Sequence, residues 1–317
     1  MKDDARLLDR IRGSLLGAAI GDALGSAFEF VSSTAIKRAI GSSIARDYRA
    51  ALPGSLMAPR RPGIPTDDTA MTLALIEALG QGTPHTPRSV LTGMVEGLRR
   101  NSGPVAAMFW AGGPGGACVA MLRAAQAGAE PFERIDPDAG GNGAAMRAHP
   151  CGAFADRGFV AELAGMQARL SHPEPAAIAS AQVVALVVHD AMYENEFPAT
   201  IPPEITAPKM LTAWQSAHAN LQRAKRLPTH LLDVDMAGWN TVAAAHAIAF
   251  LYADEPATAL GLAAASGKDT DTIASIVGGM LGALHGVDAL PKRLLDGLNG
   301  RELIERAATT LHRTVTR

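Results

Sequence analysis

The sequence predicts an all-α fold, and three observations carry that reading. Hydrophobic residues make up 48% of the 317 residues while aromatics make up only 4%. Alanine and glycine are abundant instead, which suits closely packed helices better than a β-sandwich rich in branched and aromatic side chains. No stretch alternates apolar and polar residues over the length of a strand. Apolar residues recur at helical spacing: within 266–286, Ile273, Ile276, Val277, Met280, Leu281 and Leu284 fall at i, i+3, i+4, i+7, i+8 and i+11, one buried helical face. The expected architecture is a compact single domain over residues 1–317, a bundle of about a dozen helices or more with no fixed-period repeat.

In order, residues 5–31 read as a first helix, with Leu8, Ile11, Leu15, Ala18 and Ala19 on one side and Gly13, Gly17, Gly21 and Gly25 recurring every four residues. A glycine inside a helix costs about 1 kcal/mol. Four in register therefore imply a smooth ridge that another backbone approaches closely. Glu29 falls at the end of this helix among Phe28, Phe30 and Val31, an odd place for a carboxylate without a partner or a metal. Residues 32–65, punctuated by Ser, Gly and Pro, read as a long connection. Helices over 67–80 and 88–100 follow, then the glycine-rich FWAGGPGGACVAML and a helix over 117–128. ERIDPDAGGNGAAMRAHPCG is a second glycine-rich turn opening a short helical stretch. Helices over 158–170 and 173–192 flank RLSHPEP, and ENEFPATIPPEITAP is a proline-rich surface loop. Helices over 209–225, 239–253, 256–265, 270–286 and 301–313 complete the chain.

Composition narrows the function classes. The 29 basic and 31 acidic residues leave a formal net charge of −2, and basic residues run no longer than pairs such as Arg60-Arg61, so a nucleic-acid backbone is not an expected partner. Cys118 and Cys151 stand in no zinc or disulfide spacing, which fits a reducing, cytoplasmic setting. The acids of MKDDARLLDRIR are wrong for a signal peptide, and no uninterrupted apolar run reaches the roughly eighteen residues of a membrane span.

Two clusters carry the chemistry. Thr66, Asp67, Asp68 and Thr69 stand before MTLALIEAL, and Asp269, Asp271 and Thr272 stand at the start of the 270–286 helix. Capping and the helix dipole explain one such cluster by themselves. Two of them, about two hundred residues apart, suggest halves of one oxygen-lined site. Carboxylates about 5 Å apart repel by roughly 3 kcal/mol at an effective dielectric of about 20, so four cannot converge without cations. Oxygen-only donors select Mg²⁺, Mn²⁺ or Ca²⁺, and four carboxylates suggest two ions. Two separately capped, solvated helix starts are the alternative. GxSxG, HExxH and GxGxxG motifs are absent. GLAAASGKD has five residues between its glycines and Asp269 where a phosphate loop needs Ser or Thr, and Ile273 and Met280 exclude an EF-hand.

GSLLGAAIGDALGSAFEF at 13–30, TDDTAMTLAL at 66–75, GNGAAMRAHPCG at 141–152, ARLSHPEP at 168–175 and GKDTDTIASIVGGMLGALHG at 267–286 together resemble the ADP-ribosylglycohydrolase family, in order and over nearly the whole chain. That family includes the dinitrogenase reductase activating enzymes and the ADP-ribosyl-arginine and ADP-ribosyl-serine hydrolases. The resemblance implies an all-α hydrolase that cleaves ADP-ribose from an acceptor, with two Mg²⁺ or Mn²⁺ ions held by residues matching Thr66, Asp67, Asp68, Asp269, Asp271 and Thr272. Glu29 matches the carboxylate used beside the metals, for acid/base or ligand work. Gly140, Gly141, Asn142 and Gly143 correspond to a phosphate-approaching loop, and His172 to a substrate-contacting histidine; Gly115 and Gly116 belong to the ADP-ribose side. The expected partner is an ADP-ribosylated substrate, met by a monomer without a membrane.

This chain also departs from the family. AGGPGGAC lacks the acid of the reductase-activating branch and looks more like the serine-linked one, yet Ala139 stands where that branch has a serine. The stacking aromatic expected near Gly140 is missing, which leaves Trp110 or Phe109 for adenine. A two-metal phosphohydrolase on another nucleotide, or a non-catalytic ADP-ribose-binding relative, is the alternative function.

Overall fold

The computed structural model describes residues 2–55, 61–82, 84–100, 108–109, 113–219 and 227–317. Thirteen α-helices occur among them: α1 (Lys2–Gly25), α2 (Ser33–Ile40), α3 (Asp67–Gly80), α4 (Pro87–Arg100), α5 (Gly116–Gln126), α6 (Arg157–Arg169), α7 (Pro175–His189), α8 (Pro208–His218), α9 (Gly238–Leu251), α10 (Pro256–Ala264), α11 (Thr270–His285), α12 (Lys292–Gly297) and α13 (Arg301–Val315). The one strand-like pairing among the described residues is an isolated bridge between Gly141 and Ala237. The fold is all-α, as the composition predicts.

At its centre α1 and α11 run antiparallel in backbone contact. A Cβ placed on Gly13 would lie 2.3 Å from the carbonyl oxygen of Gly282, and one on Gly17 2.2 Å from that of Gly278. One on Gly21 would lie 2.0 Å from Ala274 O, and one on Gly25 2.3 Å from Thr270 O. The partners descend by four along α11 as the glycines ascend by four along α1. This is the close approach that the glycine ridge predicts, and Gly278 and Gly282 answer it from the other side. Gly279 does not: its missing side chain makes room for the His149 ring, 2.1 Å from where a Cβ would sit.

Several boundaries differ from the sequence reading. The first helix ends at Gly25 and tightens into a 3₁₀ turn, Ser26–Phe28, before Glu29 turns extended. Inside the expected 32–65 connection lies α2, started by the Ser32 side chain accepting from the Ala35 N–H and ended by Gly41 at φ 68°. Only Ile36 of α2 is buried, and at eight residues the helix is short enough to pass as part of the connection. The expected 209–225 helix spans Pro208–His218, and 220–226 lie outside the described residues. Pro175–Glu194 has the length and mean hydropathy of a membrane span although Gln182, His189 and Asp190 interrupt its apolar run; 78% of its apolar window is buried in this fold, as in a core helix.

Gly21→Ala tests the central contact by sign. In a helix free of neighbours the change would stabilise by up to about 1 kcal/mol. Against the Ala274 carbonyl it should destabilise by about 1–3 kcal/mol or more and lower the thermal midpoint. Gly116→Ala, where a Cβ meets nothing within 4 Å, is the control expected to leave the midpoint near wild type.

Candidate metal centre and ligand cavity

The antiparallel register sets the C-terminal end of α1 beside the N-terminal end of α11, and acids stand just beyond both ends. Glu29 is extended (φ −53°, ψ 132°) and Phe30 adopts φ 61°. Opposite them Lys268 adopts φ 62°. Phe30 N–H donates to Lys268 O at 2.7 Å and Lys268 N–H donates to Val31 O at 3.0 Å. A left-handed residue with a side chain costs about 1–2 kcal/mol, and here two are held together by this pair of backbone bonds, one to Lys268 and one from it to Val31. The Thr270 hydroxyl adds a third tie, donating to Gly25 O at 2.9 Å. These ties hold the turn of Glu29 against the turn of Asp269. One oxygen from each of Glu29, Asp269 and Asp271 lies within 4.8 Å of the other two.

The second acid cluster comes from α3, and α1 holds it as well. Thr66 is the N-cap, its hydroxyl oxygen accepting from Asp68 N–H at 3.3 Å. Asp22, fully buried in α1, accepts from Thr66 N–H at 2.9 Å to each carboxylate oxygen, from Thr69 N–H at 3.1 Å and from the Thr69 hydroxyl at 2.6 Å. The sequence reading passed over Asp22. A lone acid inside the apolar glycine-ridge helix was the available signal. Asp67 and Asp68, so placed, line the same cavity as Glu29, Asp269, Asp271 and Thr272. Thr66 is fully buried and is not among the lining residues.

Crowding these acids away from water has a direct electrostatic result. Burial first, then the charges of Asp22, Asp67, Asp269 and Glu29, push the Asp68 carboxyl well above the usual carboxylate range. Burial, then Glu29, Asp269 and Asp68, do the same to Asp271. Asp68 Oδ2 is buried with no hydrogen-bond partner among the described residues. A buried oxygen without a donor, in an all-oxygen set, fits a hard divalent cation.

The glycine turn lines the same cavity, which encloses about 480 Å³. Gly141, Asn142 and Gly143 line it together with His172, whose Nε2 would lie 3.4 Å from a Cβ on Gly141 and 3.1 Å from one on Gly143. Gly140 does not line it; its carbonyl accepts from Gly238 N–H and a Cβ there would meet the Trp239 ring at 3.0 Å. Asn142 turns toward the acids, its Nδ2 donating to Asp269 Oδ2 at 2.6 Å and to Thr241 Oγ1 at 3.1 Å. Gly115 and Gly116 line the cavity with open space where side chains would stand. Phe109 is a core residue away from the cavity, and Trp110 lies outside the described residues. The exposed apolar groups at the cavity are Phe30 and Met236.

A family model described as ADP-ribosylglycohydrolase matches residues 3–317. The chain belongs to this family. It is 25% identical to ADP-ribosylarginine hydrolase Tri1 of Serratia proteamaculans, over 97% of this chain and 80% of that one. It is 26% identical to an ADP-ribosyl-dinitrogen reductase glycohydrolase of Rhodospirillum rubrum, over 92% and 90%. A solved ADP-ribosylglycohydrolase-related protein complex superposes with a TM-score of 0.71 at 25% identity, over 98% of this chain and 99% of that one. Membership of the ADP-ribosylglycohydrolase family supports cleavage of an ADP-ribosyl bond as the activity.

The crowded acids predict a pH-dependent response to cations. Asp68 and Asp271 have folded pKa values above the unfolded value near 3.8. Their contribution to stability is therefore full below that pH and is lost as pH rises through the folded values. Added Mg²⁺ or Mn²⁺ should raise the thermal midpoint, and by more at neutral pH than at about pH 5. An equal shift at both, or none, would contradict this account of the site.

Proposed function

We propose that this chain hydrolyses the glycosidic bond joining ADP-ribose to an acceptor, a protein side chain or a small molecule, and releases free ADP-ribose with the help of two Mg²⁺ or Mn²⁺ ions. The observation that carries the reading is the convergence of Glu29, Asp67, Asp68, Asp269 and Asp271 on one cavity that the glycine turn also lines. Thr66, Asp67, Asp68, Asp269, Asp271 and Thr272 would hold the ions, with the Glu29 carboxylate in contact range of two of those acids. Bound cations supply positive charge that orients ribose hydroxyls and offsets charge developing in the transition state.

The protein's own groups divide the remaining work. Glu29 stands on a turn between helices, not at a helix start, and is assigned the proton: taken from the attacking water or given to the departing acceptor atom. Asn142, donating to Asp269, keeps that carboxylate oriented. Gly141 and Gly143 leave the backbone bare for phosphate oxygens to approach. Phe30, beside Glu29 and 36% exposed, offers an apolar surface on the acceptor side. The arginine linkage in the Serratia relative's name weighs against the acid-free spelling of the 111–118 loop, so the acceptor is left to assay.

Glu29→Gln should lower kcat by about 10²–10⁴-fold while ADP-ribose affinity changes little. Product analysis over arginine-, serine- and acetyl-linked ADP-ribose checks the reaction itself. Free ADP-ribose supports the proposal; inorganic phosphate would move it to the phosphohydrolase reading, and tight binding with no turnover of any linkage to a non-catalytic one.

A further inference from the structure

Behind the glycine turn lies a guanidinium with no acid beside it. Arg147 is 0% exposed, and among the described residues no carboxylate comes within ion-pair distance of it. All its acceptors are neutral: Gln167 Oε1 at 2.8 Å, Gly143 O at 2.9 Å, Gln167 O at 3.1 Å, Ser171 Oγ at 2.7 Å, with Cys118 Sγ at 3.4 Å. A buried cation that lacks a counter-charge is costly and needs a reason.

The hydrogen-bond directions follow from what each group can do. Arginine only donates, so Ser171 Oγ accepts from Nη2. The described residues offer the Ser171 hydroxyl proton one acceptor, His172 Nδ1 at 2.8 Å. Nδ1 is then the bare nitrogen and Nε2 carries the hydrogen. Nε2 makes no hydrogen bond among the described residues, and its edge lies against Gly141 and Gly143 on the cavity wall. Burial, then the charge of Arg147, push the His172 pKa down to about 3, so the ring is neutral at physiological pH.

We propose that Arg147 and Ser171 are positioning residues that hold His172 as a neutral Nε2–H donor facing an anionic oxygen of the ligand on the glycine turn. Positive charge reaches that oxygen from one layer behind, through Arg147, while the donor in contact with it carries none. The class of ligand is a nucleoside diphosphate. That identity rests on the ADP-ribosyl reading above; the tautomer rests on geometry alone.

Nitrogen-edited NMR of the histidine rings in the ligand-free full chain, with His172 assigned by His172→Gln, reads the tautomer directly. Wild type should show a pyridine-like Nδ1 and a pyrrole-like Nε2, unchanged from mildly acidic to neutral pH. Ser171→Ala should mix the tautomers and weaken ADP-ribose binding in calorimetry by roughly tenfold, and Ser171→Thr should restore both. A protonated Nδ1 in wild type, or an unchanged tautomer and affinity in Ser171→Ala, would overturn the proposal. The wild-type spectrum decides even where a variant fails to fold. The expected tautomer with no ADP-ribose binding supports the relay and overturns the ADP-ribosyl reading instead.

Discussion

The backbone contact between α1 and α11 decides where everything else at the site can be. Helices normally keep 8–10 Å between axes because side chains intervene. Here the glycines of α1 meet carbonyl oxygens of α11 at distances no Cβ could tolerate. At such separation the two helices have one allowed register, since sliding by one residue would set a side chain where a glycine stands. That register leaves Glu29 past the end of one helix and Asp269 and Asp271 at the start of the other. Backbone bonds between Phe30, Val31 and Lys268 then close the gap. The acids are close because the helices are, and not because they attract one another.

Holding like charges together opposes folding, and the surrounding groups answer it in different ways. Helix starts at α3 and α11 present positive dipole ends to their acids. Asn142 donates to Asp269, whereas Asp22, which fixes the amides of Thr66 and Thr69, adds its own charge to the repulsion at Asp68. What the described residues do not supply is a donor for Asp68 Oδ2. The cavity is lined by acids, while the Arg147 charge lies behind Gly143 of its glycine turn, a combination that suits a ligand carrying both hydroxyls and phosphates.

Much of this was legible in the sequence because it is local. The glycine period of 13–25, the acid clusters at 67–68 and 269–271 and the apolar face of 273–284 are each readable within one segment, and each maps onto a structural fact. Less visible were relations between segments. Asp22 caps a helix 44 residues on, and Ser171 and Arg147 meet across 24. Nothing in spacing marks either pair. Asn142 reads as part of a phosphate loop, yet its amide faces an acid brought from 127 residues away. Gly279 reads as part of the α1 contact because it adjoins Gly278, whereas a 100° step around the helix turns it to His149. Short helices such as α2 and α12, of eight and six residues, span too few turns to repeat a period.

Asp22 has one more consequence. Since it grips the start of α3 directly, the chain over 42–65, beyond the Glu29 turn and α2, is not what sets the positions of Asp67 and Asp68. Loop-closure entropy grows only with the logarithm of length, about 0.6 kcal/mol for each doubling. This connection is therefore where the chain can lengthen, shorten or change its spelling in evolution while the reacting centre stays in place, and surface features that distinguish one acceptor from another can be written there at small thermodynamic cost.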